Sequence, residues 1–230
     1  AILAIEELAK VDPSAAVIID VQNTLCNAAI RRWGTEDQKR RFLPRLAKDT
    51  VSSYALSEAG SGSDAFALTP RAVADGAHYR LTGRKMWITN ARYANPLPVL
   101  CKTDPSATPA HKGMSVILVE QGTPGFTVNR DIGKLGYKGT ESCEVVLDNV
   151  RVPKENLLGG IEGKGMQQVL AGLETGRLNV AARSVGIAQA SYEAALEYSK
   201  NRQAFGQPIS EFQAIQLKLA TMATQTQAAR

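Results

Sequence analysis

The sequence predicts an α+β fold in three segments: an N-terminal helical domain over 1–50, a middle antiparallel β sandwich or barrel domain over 51–153, and a C-terminal helical bundle over 154–230. Three observations predict it. Apolar residues recur at helical spacing through the first fifty positions. Near Val51 the texture changes to short strand-like runs set among Gly, Pro and Thr. From about Lys164 the helical spacing returns and is still running at Arg230, so the bundle reads as cut short.

In the first segment Asp12 can cap a helix whose first position is Pro13. Val17, Ile18, Val21, Leu25 and Ala29 then mark one apolar face, and Gly34 ends the run. Thr35 starts the next helix, and Gln38 three residues on completes a capping box. Its apolar positions are Phe42, Leu43 and Leu46.

In the second segment Ala72-Val73-Ala74 and Tyr79-Arg80-Leu81 flank Asp75-Gly76, a hairpin-turn pair. Further strands are expected over 85–89, 99–102, 114–120 and 143–147, and Val152-Pro153 closes the region. The third segment reads as one long helix from about Lys164 to Asn201, a break at Phe205-Gly206-Gln207-Pro208, and a second helix from about Ser210.

Composition narrows the function. With 44% apolar and 21% charged residues over 230 positions, the chain can bury a core without disulfides. No apolar run reaches the 18 or so residues of a membrane span, so no membrane partner is expected. The opening Ala1-Ile2-Leu3-Ala4-Ile5-Glu6-Glu7 lacks the basic start of a signal peptide and begins mid-pattern, as a cut or processed end would. Cys26, Cys101 and Cys143 are far apart and odd in number, which argues against a zinc site or a disulfide framework and fits a reducing compartment. The net charge of +5 is scattered; Arg31-Arg32 and Lys39-Arg40-Arg41 read as solvated helix faces, not a nucleic-acid groove. A positive balance also suits a phosphate-rich ligand.

Four segments can carry chemistry. Tyr54-Ala55-Leu56-Ser57-Glu58-Ala59-Gly60-Ser61-Gly62-Ser63-Asp64 runs from a strand into a loop whose glycines allow close approach to a ligand and whose N–H groups can bind its oxygens. Composition alone favours an ordinary Ser/Gly turn. The loop has neither Walker nor Rossmann spacing. Lys85-Met86-Trp87-Ile88-Thr89-Asn90 puts Trp87 and Thr89 on one strand face, where they could stack on a flat heterocycle and hydrogen-bond its edge; a core Trp beside a surface Thr is the plainer alternative. In Glu174-Thr175-Gly176-Arg177, the helix-interior Gly176 costs roughly 1 kcal/mol against Ala, so it marks either a ligand needing space or a tight helix crossing. Arg202, in Asn201-Arg202-Gln203-Ala204-Phe205-Gly206, can be a dipole partner at a helix end or reach a phosphate.

Taken together and in order, these segments closely resemble the acyl-CoA dehydrogenase family. Ala55 to Ala67 matches its N-terminal signature, and Met86-Trp87-Ile88-Thr89-Asn90 its flavin strand. Lys134-Leu135-Gly136, Val150-Arg151-Val152-Pro153 and Asn156-Leu157-Leu158-Gly159 match the end of its β domain; Gly176-Arg177 and Arg202 to Gly206 match its third domain. Val11-Asp12-Pro13-Ser14 and Gln22-Asn23-Thr24-Leu25 look like its short/branched-chain branch.

The resemblance implies FAD between the β domain and the C-terminal helices. Tyr54, Leu56 and Ser57 would line the flavin ring, and Trp87, Ile88 and Thr89 would form the strand against it, with Thr89 near N5. Ser63 would lie at the cofactor and, with Glu174 and Arg177, would contact the CoA part of an acyl-CoA substrate. Arg202, Phe205 and Gln213 would hold the pyrophosphate and adenosine end of a neighbouring subunit's FAD, in a homodimer or homotetramer. Electrons would pass to an electron-transfer flavoprotein, in a bacterial cytoplasm or a mitochondrial matrix. The family's usual base, a Glu in a Tyr-Glu-Gly-Thr-like motif, has no counterpart here and is expected beyond Arg230; the alternative position before the helix Arg is Gly176. A flavin oxidase or monooxygenase of the same fold, or a non-catalytic FAD or acyl-CoA binding fragment, are the alternative readings.

Overall fold

A computed structural model describes residues 1–230 other than Arg130. Five helices and the strands of one large sheet follow the expected order of helices, strands and helices, with a sixth helix at the end. They fall into two compact units, one of residues 18–176 and one of residues 1–17 with 177–230.

The larger unit is built on a six-stranded sheet. Its strands are β1 (Arg71–Asp75), β2 (His78–Thr89), β3 (Leu97–Lys102), β4 (Met114–Val119), β5 (Phe126–Asp131) and β6 (Ser142–Pro153), in the order β4-β3-β1-β2-β6-β5. All neighbours run antiparallel except β1 and β3, which meet in parallel at Arg71 and Lys102. The expected hairpin joins β1 to β2, but Asp75 pairs with His78, so the turn residues are Gly76-Ala77, and Gly76 takes φ +57°. β5 was not expected: Asn129, Arg130 and Asp131 make its sequence polar. Tyr54-Ala55-Leu56, expected to be a strand, contributes one bridge from Ala55 to Val99.

The sheet's inner face collects Tyr79, Leu81, Ile88, Val99, Ile117, Val145 and Val150. β3 and β4 are buried on both sides, which explains their unbroken apolar runs. Their second face, with Leu100, Met114, Val116 and Leu118, packs on helical residues Cys26, Ile30, Phe42 and Leu46. The helices are α2 (Pro13–Asp20), α3 (Ala28–Trp33) and α4 (Glu36–Lys48), and between α2 and α3 residues Val21–Asn27 form a π-helical stretch inside what reads as one continuous pattern.

The capping box of α4 forms as expected. Gln38 also docks that helix: its side-chain nitrogen donates to the carbonyls of Glu155 and Leu157 at 2.7 Å, and its oxygen accepts from the N–H groups of Thr35 and Gly159 at 3.1 Å. All of its hydrogen-bonding capacity is used. The basic residues of α4 do behave as a solvated face, with Lys39 paired to Glu36 and Arg40 to Asp37; Arg41 instead pairs with Glu120. The three cysteines are free and buried, and burial pushes the thiols of Cys26 and Cys101 up to about 12.

The smaller unit holds α1 (Ile2–Val11), most of the long helix α5 (Gly165–Asn201), a hairpin of β7 (Gln203–Ala204) and β8 (Gln207–Pro208), and α6 (Gln213–Ala229). α6 starts three residues later than expected, because Ile209–Glu211 form a short 3-10 turn first. α1 crosses α5 at Gly186, where a Cβ would lie 2.2 Å from the carbonyl oxygen of Glu6. Glu6 is also held by Arg230 at 2.9 Å.

Gly186→Ala sets two effects against each other. Helix propensity favours Ala by about 1 kcal/mol, while a carbonyl oxygen at that distance has to move, at a cost of about 1–3 kcal/mol. The overlap wins, so chemical denaturation should find the variant less stable; equal or greater stability would show that the crossing is loose.

Candidate functional site

β2 begins with strict alternation. Tyr79 and Leu81 point into the core, Arg80 and Thr82 out, and Lys85 has the inward parity. Continued unbroken, that parity would send Trp87 and Thr89 inward too. The ladder to β6 prevents this: Lys85 pairs with Val145 and Ile88 with Cys143, leaving Met86 and Trp87 unpaired in a bulge. The extra residue flips the faces. Ile88 becomes the inward residue, while Trp87 and Thr89 share the more accessible side. Trp87 has φ +58° and stays 52% exposed, so it is no core tryptophan.

Beside the bulge runs the segment from Val51 to Ser61, several of whose groups bond to strand residues. The Ala55 N–H donates to Pro98 O at 2.8 Å, and the Leu100 N–H to Ala55 O at 3.1 Å. The Ser53 hydroxyl bonds Thr89 O, and the Met86 N–H donates to Ser57 O at 2.8 Å. The backbone of residues 53–57 is thereby brought alongside 86–89, while the part-buried Tyr54 and Leu56 side chains pack on the helical cluster around Cys26. The Tyr54 hydroxyl lies buried without a hydrogen-bond partner, and burial raises its pKa well above the ordinary phenol range. Ile88 differs from its expected place: its side chain sits in the sheet core, so only its backbone faces this site.

Ser63 is exposed, just before a short 3-10 turn over Ala65–Ala67 that Asp64 caps. Phe66 on that turn lines a cavity of about 430 Å³ with Arg32, Trp33, His111, Met166 and Glu174. Arg32 lies over the Trp33 ring at 5.1 Å. Glu174 therefore shares a cavity with the end of the serine-glycine loop. Gly176 is not the tight crossing: a Cβ there would meet only Leu25, at an ordinary 3.7 Å.

In the smaller unit Arg177 is exposed on α5. Arg202 follows the end of that helix, its N–H donating to Tyr198 O and its carbonyl accepting from Ile209 N–H, both at 2.9 Å. Phe205, at φ +53°, is 96% exposed at the hairpin tip and meets Phe212 edge to face at 6.1 Å. Gln213 is the first residue of α6 and exposed. The hairpin carries Phe205 at its tip with Arg202 just before it, and Gln213 follows the 3-10 turn at the start of α6.

Sequence reasoning missed the pairing of Lys85 with Glu58. Lys85 is 0% exposed; its ammonium donates to Glu58 at 2.7 Å and to Leu56 O at 2.9 Å. Burial pulls its pKa below the ordinary lysine value, against the opposing pull of Glu58. A lysine on the inward parity of Tyr79 and Leu81 was the signal, since a buried charge requires a partner. The cavity of Arg32 and Trp33 had no such signal, because its walls come from distant segments.

Family models of the acyl-CoA dehydrogenase N-terminal, middle and C-terminal domains match residues 1–50, 53–150 and 163–230. The chain is 44% identical to a probable short/branched chain specific acyl-CoA dehydrogenase of Dictyostelium discoideum, over 100% of this chain and 55% of that protein. It is 42% identical to the mitochondrial short/branched chain specific acyl-CoA dehydrogenase of Rattus norvegicus, over 100% of this chain and 52% of that one. It superposes on butyryl-CoA dehydrogenase from Megasphaera elsdenii with a TM-score of 0.95 at 39% identity, covering 99% of this chain and 59% of that one. The chain spans about half the length of the curated relatives it matches.

Truncating a core tryptophan costs about 3–5 kcal/mol. Trp87→Gly should instead leave the stability of the ligand-free protein within about 1 kcal/mol of wild type, since it removes a half-exposed ring and relieves a left-handed backbone. Denaturant melts check this; a loss on the core scale would return Trp87 to a packing role.

Proposed function

This chain belongs to the acyl-CoA dehydrogenase family, and from that premise we propose that the protein it represents is an FAD-dependent dehydrogenase that converts a short or branched-chain acyl-CoA to its 2-enoyl-CoA and passes the electrons to an electron-transfer flavoprotein. The observation that carries the reading is the Trp87 bulge. A large ring that no core requires is held half-exposed, beside the Thr89 hydroxyl and the 54–57 segment. Such a surface fits a flat heterocycle with hydrogen-bonding edges.

FAD, when bound, supplies the hydride acceptor. The remaining work falls to the chain's own groups. Trp87 offers a flat apolar shelf and Thr89 a donor at its edge, while Leu56 excludes water from one side. The Ser57–Ser63 loop, with its exposed glycines, and the cavity holding Glu174 are assigned to the CoA portion, with Ser63, Glu174 and Arg177 as contacts. Arg202, with the exposed Phe205 ring and Gln213, is assigned to the pyrophosphate and adenosine end of the FAD of a neighbouring copy in a homodimer or homotetramer; an aromatic left 96% exposed at a hairpin tip supports an intersubunit role.

The reading takes the base that removes the α-proton from outside residues 1–230. Glu58 is buried against Lys85 and Thr69, and Gly176 has no side chain. In the full-length protein the segments 1–50, 51–153 and 154–230 are assigned to its helical, β and helical domains. The compartment is a bacterial cytoplasm or a mitochondrial matrix; among the described residues no helix is long and apolar enough to cross a membrane.

The full-length protein should purify yellow and lose its flavin absorbance on anaerobic addition of butyryl-CoA or 2-methylbutyryl-CoA. A colourless protein that takes up no FAD on reconstitution defeats the reading. Arg202→Ala should raise the FAD dissociation constant about tenfold through loss of a charge-assisted phosphate contact, with acyl-CoA binding little changed. Equal FAD retention in variant and wild type would remove Arg202 from the cofactor site.

A further inference from the structure

An apolar residue would fill the place of the inward-facing lysine of β2 at lower cost to folding. Taking two charges out of water is expensive, and well-packed apolar side chains of similar volume are often as stable or more so. Lys85 and Glu58 are nonetheless both buried and hydrogen-bonded to each other. The lysine donates to Glu58 Oε1 and to Leu56 O, and Glu58 Oε2 accepts from the N–H and the hydroxyl of Thr69 at 3.0 and 2.9 Å. The Met86 N–H donates to Ser57 O, and Glu58 and Ser61 exchange backbone bonds at 2.9 and 3.2 Å.

The bonds fall at consecutive residues. Leu56, Ser57 and Glu58 on one side are tied to Lys85 and Met86 on the other, and Trp87 comes next. This is also where β2 lacks ladder bonds to β6 across Met86 and Trp87. A bulge without those bonds needs another anchor to hold its angle, and directional bonds from an ammonium supply one where apolar packing would not.

We propose that Lys85 and Glu58 are positioning residues for the flavin: a buried ion pair that fixes the 56–58 segment against the Met86–Trp87 bulge, and so sets the spacing of the two walls between which the ring would lie. The inference rests on the flavin site proposed above. Neither residue touches the cofactor. They act through the Leu56 carbonyl and the Trp87 backbone, which is why their loss should be read at the flavin and not only in the fold.

The test uses the full-length holoenzyme and the double variant K85M/E58Q, which leaves no unpaired buried charge. The expected result is a thermal midpoint of the apoprotein close to wild type, faster hydrogen exchange at the Met86 amide, shifted visible bands of the bound flavin, and an FAD dissociation constant raised about tenfold, the scale on which supporting contacts act in other ligand sites. Unchanged affinity and unchanged bands would overturn the proposal. So would a loss of FAD binding that merely tracks a loss of apoprotein stability. If the double variant does not fold, E58Q alone, which keeps the shape and removes only the charge, is measured in the same way, and the same results support or overturn the proposal. Wild-type protein that binds no FAD overturns the functional reading and this proposal with it; wild type that binds FAD no better than the variant overturns this one alone.

Discussion

One of the two breaks in the β2–β6 ladder, at Met86 and Trp87, decides which side chains the larger unit turns outward. Strand side chains alternate with a period of two, so one extra residue reverses the face of everything beyond it. Between Lys85 and Ile88 that reversal occurs. Before it, Tyr79, Leu81 and Lys85 point inward; after it, Ile88 fills the core and Trp87 and Thr89 are turned out. The bulge holds a bulky residue at positive φ, a strained conformation that is typical of functional sites.

Because the bulge forfeits ladder bonds, the neighbouring segment carries more than its own weight. Residues 51–61 are not a strand, yet their backbone groups cannot be left unpaired near the core. Gln22 donates from its side-chain nitrogen to Thr50 O and accepts from the Ser52 N–H at 2.7 Å, and Ser52 donates its hydroxyl to Pro96 O at 2.6 Å. Ala55 bonds across β3, and Ser57 receives Met86. Polar side chains and strand ends thus replace the missing ladder, and the same bonds join the helical residues around Cys26 to the sheet. These bonds hold the segment in place without regular structure, which suits a ligand wall.

The larger unit carries the Trp87 bulge, the serine-glycine loop and the cavity of Arg32, Trp33 and Glu174; the smaller carries the hairpin with Phe205 at its tip.

The amino-acid sequence by itself determined the order of helices, strands and helices, because hydrophobic period and capping chemistry are local. Asp12-Pro13, the Thr35–Gln38 box, the β1–β2 hairpin and the limits of α5 were all legible for that reason. The segments 54–64 and 85–90 were legible as chemistry through their joint resemblance to a family, not through composition. What the tertiary structure alone decided is non-local. Period-two reading placed Trp87 and Thr89 on one face but could not say which, since that depends on a bulge fixed by pairing with β6. It could not find the partner of Lys85, 27 residues away at Glu58, nor the polar strand β5, which exists because β6 is there to pair with it. It offered a tight helix crossing at Gly176 as one of two readings, whereas the contact falls at Gly186, where the Glu6 carbonyl arrives from the far end of the chain. Local preference sets which elements form; register, partner and face are set only when distant backbones compete for the same hydrogen bonds and the same space.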